Sequence, residues 1–171
     1  MKTNKFVKLL SIILMLLLYL GFVDASAKPR IAVLEFELKD LTLAPRIPAE
    51  IKRTASIKPL LENELKKSGY EVVSITQDAQ QQATAGVGYL FDHPDVAAQL
   101  GNKFGADYVI VGRLHKPSFL FFYLMAHLVN VKNEALAGEY IYEVKGGEKK
   151  IVAQGVEGIA EKIIKTLGAA K

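Results

Sequence analysis

The chain of 171 residues contains no cysteine and no tryptophan. Without cysteine it cannot form a disulfide framework, a thiol nucleophile or a cysteine-based metal site, and it offers no cysteine for a lipid anchor. The absence of thiols also fits an oxidising compartment. Without tryptophan, the sequence lacks the large aromatic side chain expected to line a sugar-binding cleft. Stability must therefore come from the burial of apolar side chains alone.

Neither sign of charge dominates the sequence. It has 22 basic and 18 acidic residues, and part of the excess, Lys2, Lys5 and Lys8, lies close to the N-terminus. Nucleic-acid binders concentrate basic residues on one face. No such concentration is present, so we expect no nucleic-acid partner.

The N-terminus has the three parts of a secretory signal peptide. A basic segment precedes an uncharged run, residues 9–23, and the small residues Ala25 and Ala27 flank Ser26 at a cleavage site. The run is shorter than the roughly 20 residues that span a bilayer, which argues against the alternative of a retained anchor. The sequence predicts a leader over residues 1–27, a single domain over residues 28–171, a periplasmic location and no membrane span after cleavage.

Alternating apolar residues predict a first strand in "RIAVLEFEL", residues 30–38. In a continuous strand, Ala32, Leu34, Phe36 and Leu38 would share one face, opposite Ile31, Val33, Glu35 and Glu37. A helix is expected over residues 49–69, kinked or restarted at Pro59 with Ser56 as N-cap, and ended by Gly69.

The rest of the chain continues the alternation of strands and helices. Strands are predicted at residues 70–75 and 106–114, and a hairpin at 119–131 and 135–145. Helices are predicted at 76–85, capped by Thr76, at 92–105, capped by Asp92, and at 155–171. Strands that alternate with helices pair in parallel. The predicted fold is therefore one α/β domain of two or three layers, with a mixed sheet of about five strands, a parallel β-α-β start, an antiparallel hairpin and a C-terminal helix.

Three segments carry a resemblance to known families. "RIAVLEFEL", "LKKSGYEVV" and "LGNKFGADYVIVGRL" are similar to successive elements of the class that contains curli-secretion CsgG and the amino-terminal domain of TolB. "LFDHPDVAAQLG" and "RLHKPSFLFFYLMAHLVNV" resemble an uncharacterised family of small secreted bacterial proteins. The resemblance implies a small α/β domain that acts in periplasmic assembly or envelope complexes without catalysis. The chain lacks a lipidated cysteine and pore-forming insertions, so it departs from the secretion channels of that class.

The first hairpin strand is apolar on both faces. Phe121, Tyr123 and Met125 lie on one face, although a strand with one wet face should alternate apolar and polar residues. Either helices cover both faces, or another molecule covers one of them. In the second case, these three residues are the candidate contact surface for a homo-oligomer or for a protein partner in the envelope.

Arg113, His115 and Lys116 form the candidate anion-binding cluster. Arg113 lies at the end of the predicted strand 106–114, and the other two residues follow it. Open α/β sheets bind ligands at the carboxyl ends of parallel strands. Arginine offers a fork of donors and lysine a point charge to a carboxylate or phosphate. The alternative is that these residues form a solvated, positively charged loop.

No combination of residues predicts a catalytic site, a cofactor or a metal site. His93, His115 and His127 do not have the spacing of a metal-binding motif. Ser118 near His115 lies outside a nucleophile elbow. We therefore expect a non-catalytic periplasmic module that acts through protein contacts. The alternative is an accessory protein that binds a small anion or a metal.

Overall fold

A computed structural model describes residues 28–45, 47–145 and 149–169, so the predicted leader lies outside the described residues. Six strand segments form one mixed sheet: β1 (Arg30–Val33), β2 (Glu37–Asp40), β3 (Glu71–Val73), β4 (Tyr108–Lys116), β5 (Phe121–Asn130) and β6 (Ala135–Lys145). The sheet order is β3-β1-β4-β5-β6, and β2 also pairs with β4. β1, β2, β3 and β4 are parallel, whereas β5 and β6 form the predicted antiparallel hairpin.

Helices cover both faces of the sheet, which confirms the α/β class and gives three layers. They are α1 (Pro48–Ala55), α2 (Ile57–Lys67), α3 (Gln77–Ala83), α4 (Tyr89–Asp92), α5 (Pro94–Lys103) and α6 (Lys149–Ala169). The long helices α2 and α6 pack on one face, here called the long-helix face. The shorter α3, α4 and α5 pack on the other, the short-helix face. No helix within the described residues has the length and apolar character needed to cross a membrane.

A bulge divides the predicted first strand into β1 and β2. Val33 pairs with Ile110 and Glu37 with Arg113, so three residues on one strand oppose two on the other, as in a β-bulge. The extra residue reverses the alternation of side chains. Phe36 therefore packs in the long-helix core, whereas Leu34 packs in the short-helix core. The predicted common face of Ala32, Leu34, Phe36 and Leu38 is wrong for this reason.

The helix boundaries follow the predicted signals with two corrections. The break falls at Ser56, but the Ser56 hydroxyl donates to the Arg53 carbonyl at 2.6 Å and does not cap α2. Asp92 is the last residue of α4, and His93 holds the N-cap position of α5. Thr76 caps α3 as predicted, because its Oγ1 accepts from the Ala79 N–H at 3.2 Å. Gly69 has a φ of +78° where α2 ends.

β4 is longer at its carboxyl end than the sequence predicted. Its pairing with β2 and β5 continues to Lys116 and His115, respectively. Arg113, His115 and Lys116 are therefore strand residues and do not form a loop. Neighbouring side chains of a strand point to opposite faces. The extension of β4 therefore determines which of these three side chains lie on the same face of the sheet.

Candidate functional site

An apolar strip remains open on the short-helix face. β5 and β6 pair so that Met125 opposes Ile141, and Phe121 and Tyr123 follow along the same face of β5. We call these four residues the open strip. Ile141 is 54% exposed, and the other three are half-buried. At the other end of β5, Val129 is buried against the core of the same face.

The α4–α5 segment explains why the strip is open. His127 lies beneath α4, where its ring stacks on Phe91 with centroids 3.8 Å apart and its Nδ1 lies 3.1 Å from the Phe91 carbonyl oxygen. Met125 still packs against the short-helix core. Further along β5, the rings of Tyr123 and Phe121 pack edge to face, with their centroids 5.6 Å apart. The β5 strand is thus covered by helices on both faces at one end and on one face at the other.

Arg113 lies beside the strip and is almost fully buried. It is 9% exposed, and its guanidinium carbon lies 4.3 Å from the centroid of the Phe91 ring. Its Nη2 is 3.5 Å from Glu37 Oε2 and 4.0 Å from Asp92 Oδ2. Two carboxylates therefore already balance much of the charge that the anion-binding hypothesis assigned to Arg113.

His115 stacks on Tyr123 with ring centroids 6.3 Å apart, on the same face as Arg113. Burial, followed by the charges of Lys39 and Arg113, lowers the pKa of His115. A lowered pKa keeps the imidazole neutral at pH 7. Among the described residues, its Nδ1 and the Arg113 Nε are buried without a hydrogen-bond partner. The two side chains thus offer polar contacts next to the apolar strip, but only one stable positive charge.

Lys116 points to the opposite face of the sheet. Its Nζ lies 2.8 Å from Glu50 Oε1, and the two side chains are 7% and 5% exposed. Strand alternation separates Lys116 from His115. The three cations therefore do not converge on one anion, which corrects the predicted cluster. Anion binding by Arg113 and His115 alone stays a prediction.

The lowered pKa of His115 predicts acid lability. Below about pH 6.5 the unfolded chain takes up a proton on this imidazole before the folded protein does, so the free energy of unfolding falls as the pH drops. We expect His115→Gln to reduce this dependence. Urea unfolding at about pH 7.5 and about pH 5 measures it, with His93→Gln as the control that removes an exposed imidazole. If the free energy of unfolding of His115→Gln fell between the two pH values by as much as that of the wild type, the prediction would be contradicted.

The three histidine side chains contact different residues of the structure. His93 Nδ1 lies 2.8 Å from the Tyr89 carbonyl oxygen, and His127 opposes Val111, four residues along β4 from His115. No group of three or more histidine, aspartate or glutamate side chains in the described parts of the chain could hold a metal ion. A groove of about 590 Å³ lies between α1, α2 and α6, but its lining does not include His115.

Two structural side chains were missed by the sequence analysis. Gln80 holds the bulge, because its Oε1 accepts from the Glu35 N–H at 2.8 Å and its Nε2 donates to the Glu35 carbonyl at 3.0 Å. Glu50 joins α1 to the end of β4 through Lys116. Both contacts join residues far apart in sequence. The one related signal in the sequence is the polar character of the helices α1 and α3, which carry these side chains.

The fold places the protein in a class of small three-layer α/β domains found in several bacterial proteins. One similar structure is the hypothetical protein CT253 from Chlamydia trachomatis, with a TM-score of 0.58, 13% identity, and coverage of 84% of this chain and 99% of that one. Lipoprotein GNA1162 from Neisseria meningitidis has a TM-score of 0.52 and 13% identity, with 80% of this chain and 99% of that one covered. TolB from Acinetobacter baumannii has a TM-score of 0.51 and 15% identity, with 83% of this chain and 29% of that one covered. At these identities the likeness shows the fold alone.

The chain belongs to the DUF3280 family, described as "Protein of unknown function (DUF2380)", whose model matches residues 29–164. No curated protein matches the chain in sequence. The predicted membership of an uncharacterised family and the likeness to TolB are confirmed at the level of family and fold. The likeness to CsgG stays a prediction.

Proposed function

We propose that this domain is a non-catalytic binding module of the bacterial cell envelope that docks a protein partner on the open strip. The observation that carries the proposal is the incomplete helical cover of the short-helix face. Four apolar side chains lie side by side there, and one of them is 54% exposed. Exposed apolar patches on soluble domains commonly mark interaction sites.

The predicted leader supports a periplasmic location for this module. The absence of cysteine agrees with an oxidising compartment. One of the similar structures is a lipoprotein, and the TolB-like fold agrees with the envelope role that the sequence resemblance implied.

The chemistry around the strip indicates what the partner should offer. Aromatic side chains such as Phe121 and Tyr123 are common anchors in protein interfaces. Arg113 Nε and His115 Nδ1 lack partners among the described residues but are buried, so we expect the apolar strip, and not these nitrogen atoms, to make the contact. A complementary partner would insert an apolar side chain on the strip.

A photo-reactive phenylalanine analogue at Phe121 tests this proposal in the native envelope. We expect a cross-linked adduct of defined mass, and we expect Ile141→Lys to remove it because a charge then lies in the strip. Leu136→Lys is the matched control, since Leu136 is also exposed on β6, at 38%, but lies about 16 Å away along the strand. An adduct that survives Ile141→Lys, or none at all, would exclude the strip as the docking surface.

The unpaired nitrogen atoms of Arg113 and His115 also favour a second candidate function, the binding of a small anion. A ligand that binds only the folded protein raises its melting temperature. Thermal-shift screening with carboxylates, phosphate and divalent metals separates the two functions. Stabilisation by an anion that is lost in Arg113→Gln would favour the accessory ligand-binding protein.

A further inference from the structure

The outer edge of β6 is a second surface, which shares Ile141 with the open strip. β6 is the last strand of the sheet order and has 11 residues, whereas β3 at the other edge has three. A long edge strand presents unpaired backbone groups that can pair with another strand. The Ile141 carbonyl is one of these outward-directed groups. It accepts a hydrogen bond at 3.2 Å from Lys162 Nζ of α6. Alternate residues from Glu139 to Lys145 therefore direct their N–H and C=O groups to the outer edge.

A bulge limits the regular part of this edge. Leu128 pairs with Gly138 but Val129 with Leu136, so Ala137 is an extra residue that bends the strand. The regular segment is residues 139–145, and Tyr142 is its midpoint. Its two ends carry opposite charges, and both Glu139 and Lys145 are exposed.

We propose that a second copy of the chain pairs with this segment in antiparallel orientation, about a two-fold axis at Tyr142. In this register each Glu139 opposes Lys145 of the other copy, which forms two symmetric ion pairs. A shift that centres the axis on Ile141 opposes Glu139 to Glu143, and one that centres it on Glu143 opposes two Glu143 side chains. Like charges that oppose each other directly destabilise strand pairing. Shifts of two residues, which centre the axis on Tyr140 or Val144, pair only residues 139–141 or 143–145 of the segment. The register centred on Tyr142 is therefore the one that pairs the whole segment without opposing like charges.

The contacts of the single chain permit this arrangement. The Lys145 side chain is 82% exposed, and its Nζ lies 3.6 Å from Glu143 Oε1 of its own chain. The Ile141 carbonyl has two acceptor positions, so it can accept from the second copy while Lys162 remains in place. Ile141 belongs both to the open strip and to the paired segment, whereas Phe121, Tyr123 and Met125 lie on β5, one strand away from the edge. The dimer therefore leaves these three residues accessible to the partner proposed above. This inference does not depend on the proposed function.

Charge exchange tests the register. The full chain, expressed with its leader and purified as the cell processes it, is examined by sedimentation velocity over a range of concentrations. We expect a dimer for the wild type. Glu139→Lys and Lys145→Glu should each raise the dissociation constant by roughly tenfold or more, because attraction becomes repulsion at both symmetric pairs. The double variant Glu139→Lys/Lys145→Glu should restore the dimer, and Glu71→Lys on the opposite edge strand should not weaken it.

Cysteine cross-linking tests the same register independently, since the chain has no cysteine of its own. Hydrogen-bonded pairs of antiparallel strands have Cα atoms about 5.5 Å apart, within disulfide range. A mixture of Glu139→Cys and Lys145→Cys proteins should form mixed disulfide dimers on mild oxidation. Each variant alone should not, because the two copies of the same residue lie at opposite ends of the paired segment.

A wild type that is monomeric at all concentrations would overturn the dimer. Single charge variants that remain dimers, or a double variant that remains monomeric although circular dichroism shows it folded, would overturn the proposed register. Cross-linking of either cysteine variant with itself alone would show a different register. A monomer would leave docking on the open strip unaffected, because that proposal is tested by cross-linking at Phe121.

Discussion

Replacing Glu50 with alanine is expected to lower the free energy of unfolding by about 3–5 kcal/mol. Glu50 is 4% exposed and Lys116 is 6% exposed, and the Glu50 carboxylate also contacts Arg53 Nη1 at 2.8 and 2.7 Å. Removal of the carboxylate leaves two positive side chains close together, one of them buried. A buried charge without its partner is among the most costly defects in a folded protein.

Two variants separate this effect from a simple loss of side-chain contacts. Lys116→Met should cost less than Glu50→Ala, because Glu50 keeps its contact with Arg53 and the methionine fills the space of the lysine stem. Glu64→Ala removes an ion pair at the surface, with Lys67 at 2.8 Å, and should destabilise the protein far less than Glu50→Ala because water screens exposed charges. Urea unfolding measures all three. Similar losses for Glu50→Ala and Glu64→Ala would contradict the assignment of a buried ion pair.

Gly112→Ala is expected to destabilise the protein by about 3 kcal/mol, at the upper end of the range for overpacked cores. A Cβ at this position would lie 2.0 Å from Phe36 Cε1 and 2.2 Å from Cζ. Phe36 is 7% exposed, and the bulge before β2 directs it against this glycine. β4 is held by neighbouring strands on both sides, so the strand cannot move away from the ring.

Removal of the Phe36 ring tests whether its overlap with the new methyl group causes the loss of stability in Gly112→Ala. In a Phe36→Ala background the added methyl group at position 112 meets no ring, so the two substitutions should couple by at least about 1 kcal/mol in a double-mutant cycle. Gly168→Ala is the matched control. No atom would lie within 4 Å of its Cβ, and alanine in a helix should stabilise by up to about 1 kcal/mol. Additive losses at positions 36 and 112 would exclude the contact as the cause.

The sequence predicted the elements of this fold better than the directions of their side chains. Apolar alternation and the glycines at positions 69 and 105 mark most strands and helix ends correctly. The bulge between β1 and β2 was not predictable, because the alternating pattern of "RIAVLEFEL" continues through it. One inserted residue moves both Phe36 and Leu38 to the face opposite the predicted one. Only the pairing register of β1 and β2 with β4 reveals this change.

The candidate site illustrates the same limit. The apolar character of both faces of β5 was visible in the sequence, but the extent of helical cover depends on where α4 and α5 pack. The extended end of β4 separates Lys116 from His115, although the two are adjacent in sequence. The Glu50–Lys116 pair joins residues 66 positions apart. A single sequence contains no signal for such a contact.

Helix α6 completes the core on the long-helix face of β5 and β6. It supplies Val156, Ile159 and Ile163 to the core that also contains Leu61 and Leu124, so this face of the hairpin is covered only when α6 docks. Contacts between distant parts of a chain slow its folding. We therefore expect the docking of α6 on β5 and β6 to be a late step of folding.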